Sequence, residues 1–262
     1  MTAPFSRSVF SRRRVCLVIP PSAFLLDERV FVSLGILKIA STLEQQGHCV
    51  NVLDLSGINN HIEALSTYLA AGDDEIVGIT ATTPQLPAVF EIAQMIRAQK
   101  PRLKLILGGP HVTLTYAACK LERRQGRVAF GRAANAARQL EDAFDVLVAG
   151  DGELAVHRAM DEDAPKIVDG DDNKGAFFMS DEFYTATPAP ARHLVDLSSY
   201  RYSIEGHPAT SLIAQLGCPF SCGFCGGRNS KSLRVIRTRS TSSIIEEMES
   251  IHGAYGYTGF MY

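Results

Sequence analysis

Apolar runs alternate with helical stripes from Val15 onward, and that alternation predicts most of the secondary structure. Val15-Cys16-Leu17-Val18-Ile19 is a continuous apolar run ending at Pro20-Pro21, as expected of a strand buried on both faces of a parallel sheet. Leu34, Leu37, Ala40 and Leu43 then recur on one helical stripe, which predicts a helix over 34–46 that stops at Gly47. Strands are expected over 49–55, 75–80, 103–107 and 145–149, with helices over 61–71 and 87–99 and a further helix after Gly152. Strands alternating with helices argue for an α/β fold with a doubly wound, Rossmann-like, mostly parallel sheet.

Ligands in such sheets sit beyond the carboxyl ends of the strands. Those ends carry Pro20-Pro21, the Thr80-Ala81-Thr82-Thr83-Pro84 loop, Gly108-Gly109-Pro110-His111 and Gly150-Asp151-Gly152-Glu153. Glycines there let a ligand approach the backbone, and hydroxyls with helix N-termini suit phosphate or amide groups. No G-x-G-x-x-G follows the first strand, which disfavours a dinucleotide site.

The pattern changes after Asp161. Asp169-Gly170-Asp171-Asp172 reads as turns, since no glutamate completes a calcium loop, and Ile167-Val168 and Ala176-Phe177-Phe178 are expected to form small hairpin strands. Residues 120–143 are charged, with five arginines, and are expected to form a solvated surface helix. Thr210–Leu216 reads as a short buried strand and Ser240–Tyr255 as a capped helix. Between them lies Gly217-Cys218-Pro219-Phe220-Ser221-Cys222-Gly223-Phe224-Cys225, a C-x3-C-x2-C loop expected to bring three thiolates within reach of one centre. Structural zinc sites close with four protein ligands, whereas an iron–sulfur cluster on three cysteines leaves one iron open to another ligand. A zinc knuckle is the competing interpretation.

Composition narrows the field. The chain has 262 residues, is 46% hydrophobic and 21% charged, and carries a net charge of −2. That balance gives no electrostatic footprint for nucleic acid. The first 13 residues form a basic tail without the apolar core of a signal peptide, and no apolar run is long enough for a membrane span. Six cysteines without a disulfide framework fit a reduced, cytoplasmic setting.

Cys218-x3-Cys222-x2-Cys225, with Phe224 before the last cysteine, resembles the cluster loop of radical S-adenosylmethionine (SAM) enzymes; Arg237-Thr238-Arg239-Ser240, Glu246-Glu247 and the stretch to Tyr262 look like the first helix and second strand of their barrel. Residues 15–153, through Pro20-Pro21, Leu34-Gly35, Gly47-His48, Asp54, Gly108-Gly109-Pro110-His111 and Gly150-Asp151-Gly152-Glu153, resemble the cobalamin (B12)-binding domain that precedes that barrel in one branch of the family.

The resemblance implies a cobalamin-dependent radical SAM enzyme. Cys218, Cys222 and Cys225 would hold a [4Fe-4S] cluster, and Gly223, Phe224 and Tyr262 would line the SAM site. Thr80, Thr82, Thr83, Gly108, Gly109, Pro110, His111, Gly150, Gly152 and Glu153 would contact cobalamin. In the family the cluster reduces SAM to give a 5′-deoxyadenosyl radical and methylcobalamin supplies a methyl group, with an electron donor such as flavodoxin or ferredoxin. No Asp-x-His occurs in the chain, so a histidine beneath cobalt is not expected. The implied organisation is a basic tail over 1–13, a cobalamin-binding-like domain over 14–161, a linker over 162–208 and the opening of a (β/α) barrel over 209–262. On this pattern the barrel is expected to be truncated. The alternatives are a radical SAM cyclase or oxidoreductase without methyl transfer, and a non-catalytic cofactor-binding subunit.

Overall fold

The computed structural model describes residues 11–127 and 131–262; most of the expected basic tail lies outside these residues. Five of the predicted strands form as β1 (Arg14–Ile19), β2 (Cys49–Asp54), β3 (Ile76–Thr80), β4 (Lys104–Gly108) and β5 (Val146–Gly150). Ile167–Gly170, expected in a hairpin, is instead a sixth strand, β6, and Ala176–Phe178 is not a strand. All neighbours pair parallel, in the order β2-β1-β3-β4-β5-β6. A doubly wound sheet of this order reverses direction between β1 and β3, and the crevice above that point is the expected ligand position.

The helices are α1 (Leu34–Gln45), α2 (His61–Ala71), α3 (Leu86–Gln99), α4 (Pro110–Arg124), α5 (Arg132–Ala143) and α6 (Gly152–Met160). Because successive strand residues point to opposite faces, the apolar run of β1 feeds two cores at once. Val15, Leu17 and Ile19 join Leu37 and Leu43 of α1 and Val156 of α6. Cys16 and Val18 join Leu65, Ile92, Val112 and Leu140 from α2 to α5. The expected surface excursion is therefore two helices, and α5 is not merely solvated. Ala137 and Leu140 fall three residues apart and are buried against the sheet, leaving the arginines outward.

A connector with a short helix, α7 (Asp181–Ala186), leads to a second, smaller unit. It opens with the hairpin β7 (Ser203–Ile204) and β8 (His207–Ser211), whose turn residues Glu205 and Gly206 both have positive φ, 52° and 82°, the geometry that matches strand twist. Helix α8 (Thr241–Tyr255) follows, its first turn capped by the Ser240 hydroxyl accepting from the Ser243 N–H and its end closed by Gly256 at φ 73°. Strand β11 (Gly259–Met261) then returns parallel to β8, completing one β-α-β unit.

The expected strand over 210–216 is broken. Gln215–Leu216, β9, turns away from β8 and pairs antiparallel with β10 (Arg237–Thr238). The pairing follows from the buried Arg237, 1% exposed, whose hydrogen bonds fix this part of the chain. Leu212, Ile251 and Tyr257 of the second unit join the core of the α1 and α6 face, so the two units share apolar packing.

Candidate functional site

A cavity of about 300 Å³ lies beyond the carboxyl ends of β1, β3, β4 and β5 and runs down the sheet beneath α1. That volume is at the lower end of the range for small-molecule sites. Its floor is Leu17, Gly78, Ile79, Ile106 and Val148, its wall Gly35, Ile36 and Ile39 of α1, and its rim Thr80, Gly108, Gly109, Pro110, Gly150, Gly152 and Glu153. A Cβ on Gly35 would meet no atom within 4 Å, so the absence of a side chain there leaves open space in the wall. Gly109, at φ 94°, lets the chain turn into α4 while its α-carbon lies against Thr80 and Ala81; a Cβ would stand 2.6 Å from the Thr80 hydroxyl.

The remaining first-unit candidates lie elsewhere. Thr82 closes a capping box with Gln85, and Thr83 bonds His111 Nδ1 at 2.9 Å. His111 Nε2 lies 3.3 Å from the Thr115 hydroxyl, so both ring nitrogens are engaged and burial holds the ring below its ordinary pKa. None of the three lines the cavity.

Two buried charged groups at the cavity oppose one another. Glu153 is pushed up to about 7, chiefly by burial and then by Asp151. Lys38 of α1 is pulled down to about 8 by burial, while Glu153 acts in the other direction. The Lys38 ammonium donates to the Thr187 hydroxyl and to the Pro188 carbonyl at 2.8 Å and lies 5.5 Å from the Tyr184 ring centre. Near neutrality this end of the cavity can therefore donate or accept a proton or hydrogen bond, as amide and phosphate groups require. Lys38 was missed from the sequence, although a lysine inside the apolar stripe of α1 is a legible signal.

The second unit closes the cavity. Ile213, Leu216, Ser232 and Leu233 line it together with Tyr184. The cysteine loop hangs from this wall. Gly217, at φ 81°, lies against Val235, and the Cys218 N–H donates to the Leu233 carbonyl at 3.0 Å. Arg234 donates to the Pro219 and Phe220 carbonyls at 2.5 and 2.6 Å. The Cys225 N–H donates to the Cys222 carbonyl at 3.2 Å.

All three cysteines are exposed, as are Gly223 and Phe224, and Tyr262 donates to the Met248 sulfur at 3.2 Å away from the cavity. Among the described residues no three histidine, cysteine or acidic side chains are gathered to hold a metal, contrary to the expectation that the loop converges its thiolates. The reason is physical: an exposed loop has no packing to pull thiols together, and metal binding itself commonly supplies that energy. Three thiols on one short loop are a donor set of the kind that holds an iron–sulfur cluster.

Residues 28–141 match the family model of the B12 binding domain. The six-stranded parallel sheet is the Rossmann-like α/β fold expected of such a domain, and it is followed in this chain by a smaller unit with one β-α-β element. The chain is 26% identical over 259 residues to an uncharacterised methyltransferase of Pyrococcus horikoshii, covering 93% of this chain and 51% of that protein. It is 26% identical over 215 residues to the anaerobic magnesium-protoporphyrin IX monomethyl ester cyclase of Cereibacter sphaeroides, covering 76% and 31%.

Among solved structures, the radical SAM methyltransferase TsrM of Kitasatospora setae, with tryptophan and a SAM analogue, superposes with a TM-score of 0.60 at 20% identity, covering 92% of this chain and 46% of that one. The cobalamin-dependent radical SAM enzyme OxsB, with aqua-cobalamin and SAM, superposes with a TM-score of 0.66 at 16% identity, covering 93% and 32%. The chain thus spans about half the length of the methyltransferases it matches. The chain therefore resembles a B12 binding domain in sequence over residues 28–141, and in fold it resembles these cobalamin-dependent and radical SAM enzymes. No helix among the described residues is long and apolar enough to cross a membrane.

Proposed function

We propose that this chain is the cobalamin-binding and cluster-bearing portion of a radical SAM enzyme that transfers a methyl group to carbon. The carrying observation is that one wall, Leu216 with Ser232 and Leu233, faces the cavity on one side and suspends the cysteine loop on the other. A corrinoid held by the rim of the first unit would lie next to a cluster on Cys218, Cys222 and Cys225, the adjacency that a two-cofactor reaction requires. When bound, the cluster and SAM supply radical chemistry and the corrinoid carries the methyl group.

The chain's own groups bind and orient. Gly108, Gly109, Gly150 and Gly152 admit the ligand to the backbone, and Lys38 and Glu153 offer a cation and a proton-bearing carboxyl toward its polar groups. Gly223, Phe224 and Tyr262 are the residues proposed for SAM, and a flavodoxin- or ferredoxin-type protein is the proposed electron donor in the cytoplasm. The similarity to a cyclase supports a second assignment, ring closure without methyl transfer, on the same two cofactors.

The test is anaerobic reconstitution with iron and sulfide, then iron counting and absorption spectroscopy with and without hydroxocobalamin. About four irons per chain and a bound corrinoid are expected, and Cys222→Ala is expected to lose the cluster but keep the corrinoid. Zinc in place of iron, or a full cluster in the variant, overturns the ligand assignment.

A further inference from the structure

The strap 230–237 touches both proposed cofactor sites. Its Ser232 and Leu233 form cavity wall, and its Leu233 carbonyl and Arg234 side chain hold Cys218, Pro219 and Phe220. Two buried groups fix the strap to the first unit. Asp171 accepts from the Ser232 N–H and hydroxyl, each at 2.8 Å, and from the Ser230 hydroxyl. Arg237 donates to the Asp151 carboxylate, to the Ser232 carbonyl and to the Met179 carbonyl at 3.4 Å, and its guanidinium carbon lies 5.7 Å from the Phe178 ring centre. Asp151 itself lines the cavity. Arg237 therefore bridges one cavity wall, at Asp151, to the other, at Ser232, and it is the point from which β10 pairs with Leu216 at the root of the cysteine loop.

We infer that Arg237 is a positioning residue that couples the cavity to the cysteine loop, so that a corrinoid seated in the cavity tightens the backbone presenting Cys218. This rests on the cofactor assignment proposed above. A ligand in the cavity presses on Asp151 and Ser232 together, and Arg237 makes their separation rigid. Any restraint on Ser232 and Leu233 passes to Cys218 through its hydrogen bond to the Leu233 carbonyl and to the next two loop residues through Arg234. The exposed, ungathered thiols supply the second state that coupling needs, an open loop whose closure is favoured when its supporting wall is held. By reciprocity, a cluster that closes the loop also raises the affinity of the cavity for corrinoid.

Thiol reactivity reports the coupling without turnover. Cluster-free protein is treated with limiting iodoacetamide, with and without saturating cyanocobalamin, and alkylation of Cys218, Cys222 and Cys225 is followed by mass spectrometry, while corrinoid affinity is measured by absorbance titration. In the wild type, corrinoid is expected to slow labelling of Cys218 by about fivefold or more. Arg237→Lys keeps a positive charge for Asp151 but loses the planar fork that also reaches Ser232. It is expected to bind corrinoid nearly as well, with protection reduced to under about twofold. Arg234→Gln, which alters only the hydrogen bonds from the middle of the strap to the Pro219 and Phe220 carbonyls, is expected to weaken protection likewise.

Corrinoid binding without protection of Cys218 in the wild type overturns the coupling and leaves the cofactor assignment standing. Undiminished protection in both variants overturns it too, because simple shielding by the ligand would not depend on either arginine. Absence of corrinoid binding to the wild type overturns the cofactor assignment and this inference together.

Discussion

Arg192 of the connector and Glu247 of α8 form an ion pair in which both side chains are almost fully buried, 4% and 3% exposed, and Arg239 donates to the other oxygen of the same carboxylate. Arg192 also donates to the Ser211 carbonyl at 2.9 Å, so this carboxylate ties the connector and the end of β8 to α8. Replacing Glu247 with Ala leaves two guanidinium groups without their shared anion in a dry setting. The expected loss is about 3–5 kcal/mol, read as a lower midpoint in denaturant unfolding. A loss below about 1 kcal/mol would show that water reaches the group in solution.

Gly150 turns the chain from β5 toward the cavity at φ 89°, and its α-carbon lies against the edge strand. A Cβ there would stand 2.3 Å from the Gly170 carbonyl carbon, which is backbone and cannot rotate aside. Gly150→Ala is expected to destabilise by about 2–4 kcal/mol, from strain and displacement of β6 together. Hydrogen exchange of the β5 and β6 amides, faster in the variant than elsewhere in the sheet, is the check.

Glu153 gives the fold a pH dependence of definite sign. Its carboxyl sits near 7 in the folded chain, above the ordinary value of 4.5, because burial penalises the charged form first. Well below the ordinary value both states hold the proton and nothing is lost; between that value and the folded one the unfolded chain ionises while the buried carboxyl keeps its proton, so stability falls across that interval and levels off once the native carboxyl ionises too. Glu153→Gln is therefore expected to match the wild type at about pH 4.5 and exceed it by up to about 3 kcal/mol at about pH 8. Comparing the two proteins at each pH cancels His157, whose buried ring is pulled down to about 4 and makes stability rise with pH over the lower part of this range. Equal stabilities at the higher pH would remove the buried carboxylate from the account.

His111 is held by Thr83 and Thr115 outside the cavity. The expected outcome is that paramagnetic resonance of bound Co(II) corrinoid shows no imidazole nitrogen coupling, and that His111→Ala leaves the spectrum unchanged. A histidine coupling that vanishes in the variant would put the ring beneath cobalt.

The parallel sheet was legible in the sequence because strands buried on both faces read as unbroken apolar runs, and helices facing a sheet keep a stripe such as Leu34, Leu37, Ala40 and Leu43. The loop glycines and Glu153 were legible because a doubly wound sheet leaves ligands one place to bind, and the sequence lists what stands there. Ile167–Gly170 is not decided by its sequence, since a short run of Ile-Val-Asp-Gly fits a hairpin and an edge strand equally well. Only the open edge of β5 decides between them.

The sequence by itself determined the order of the first five strands, the cap of α8, the apolar faces and the cysteine spacing, all of which depend on residues near one another in the chain. Tertiary structure alone decided which candidates share a cavity and which do not. Lys38 meets Thr187 and Pro188 from 149 and 150 positions away, and Asp151 meets Arg237 across 86. It also turned Asp171, one of several aspartates in an apparent turn, into the buried acceptor of the strap. Such pairings arise because burying a charge forces it to find a partner, and the partner is fixed by how the two units pack rather than by any local pattern.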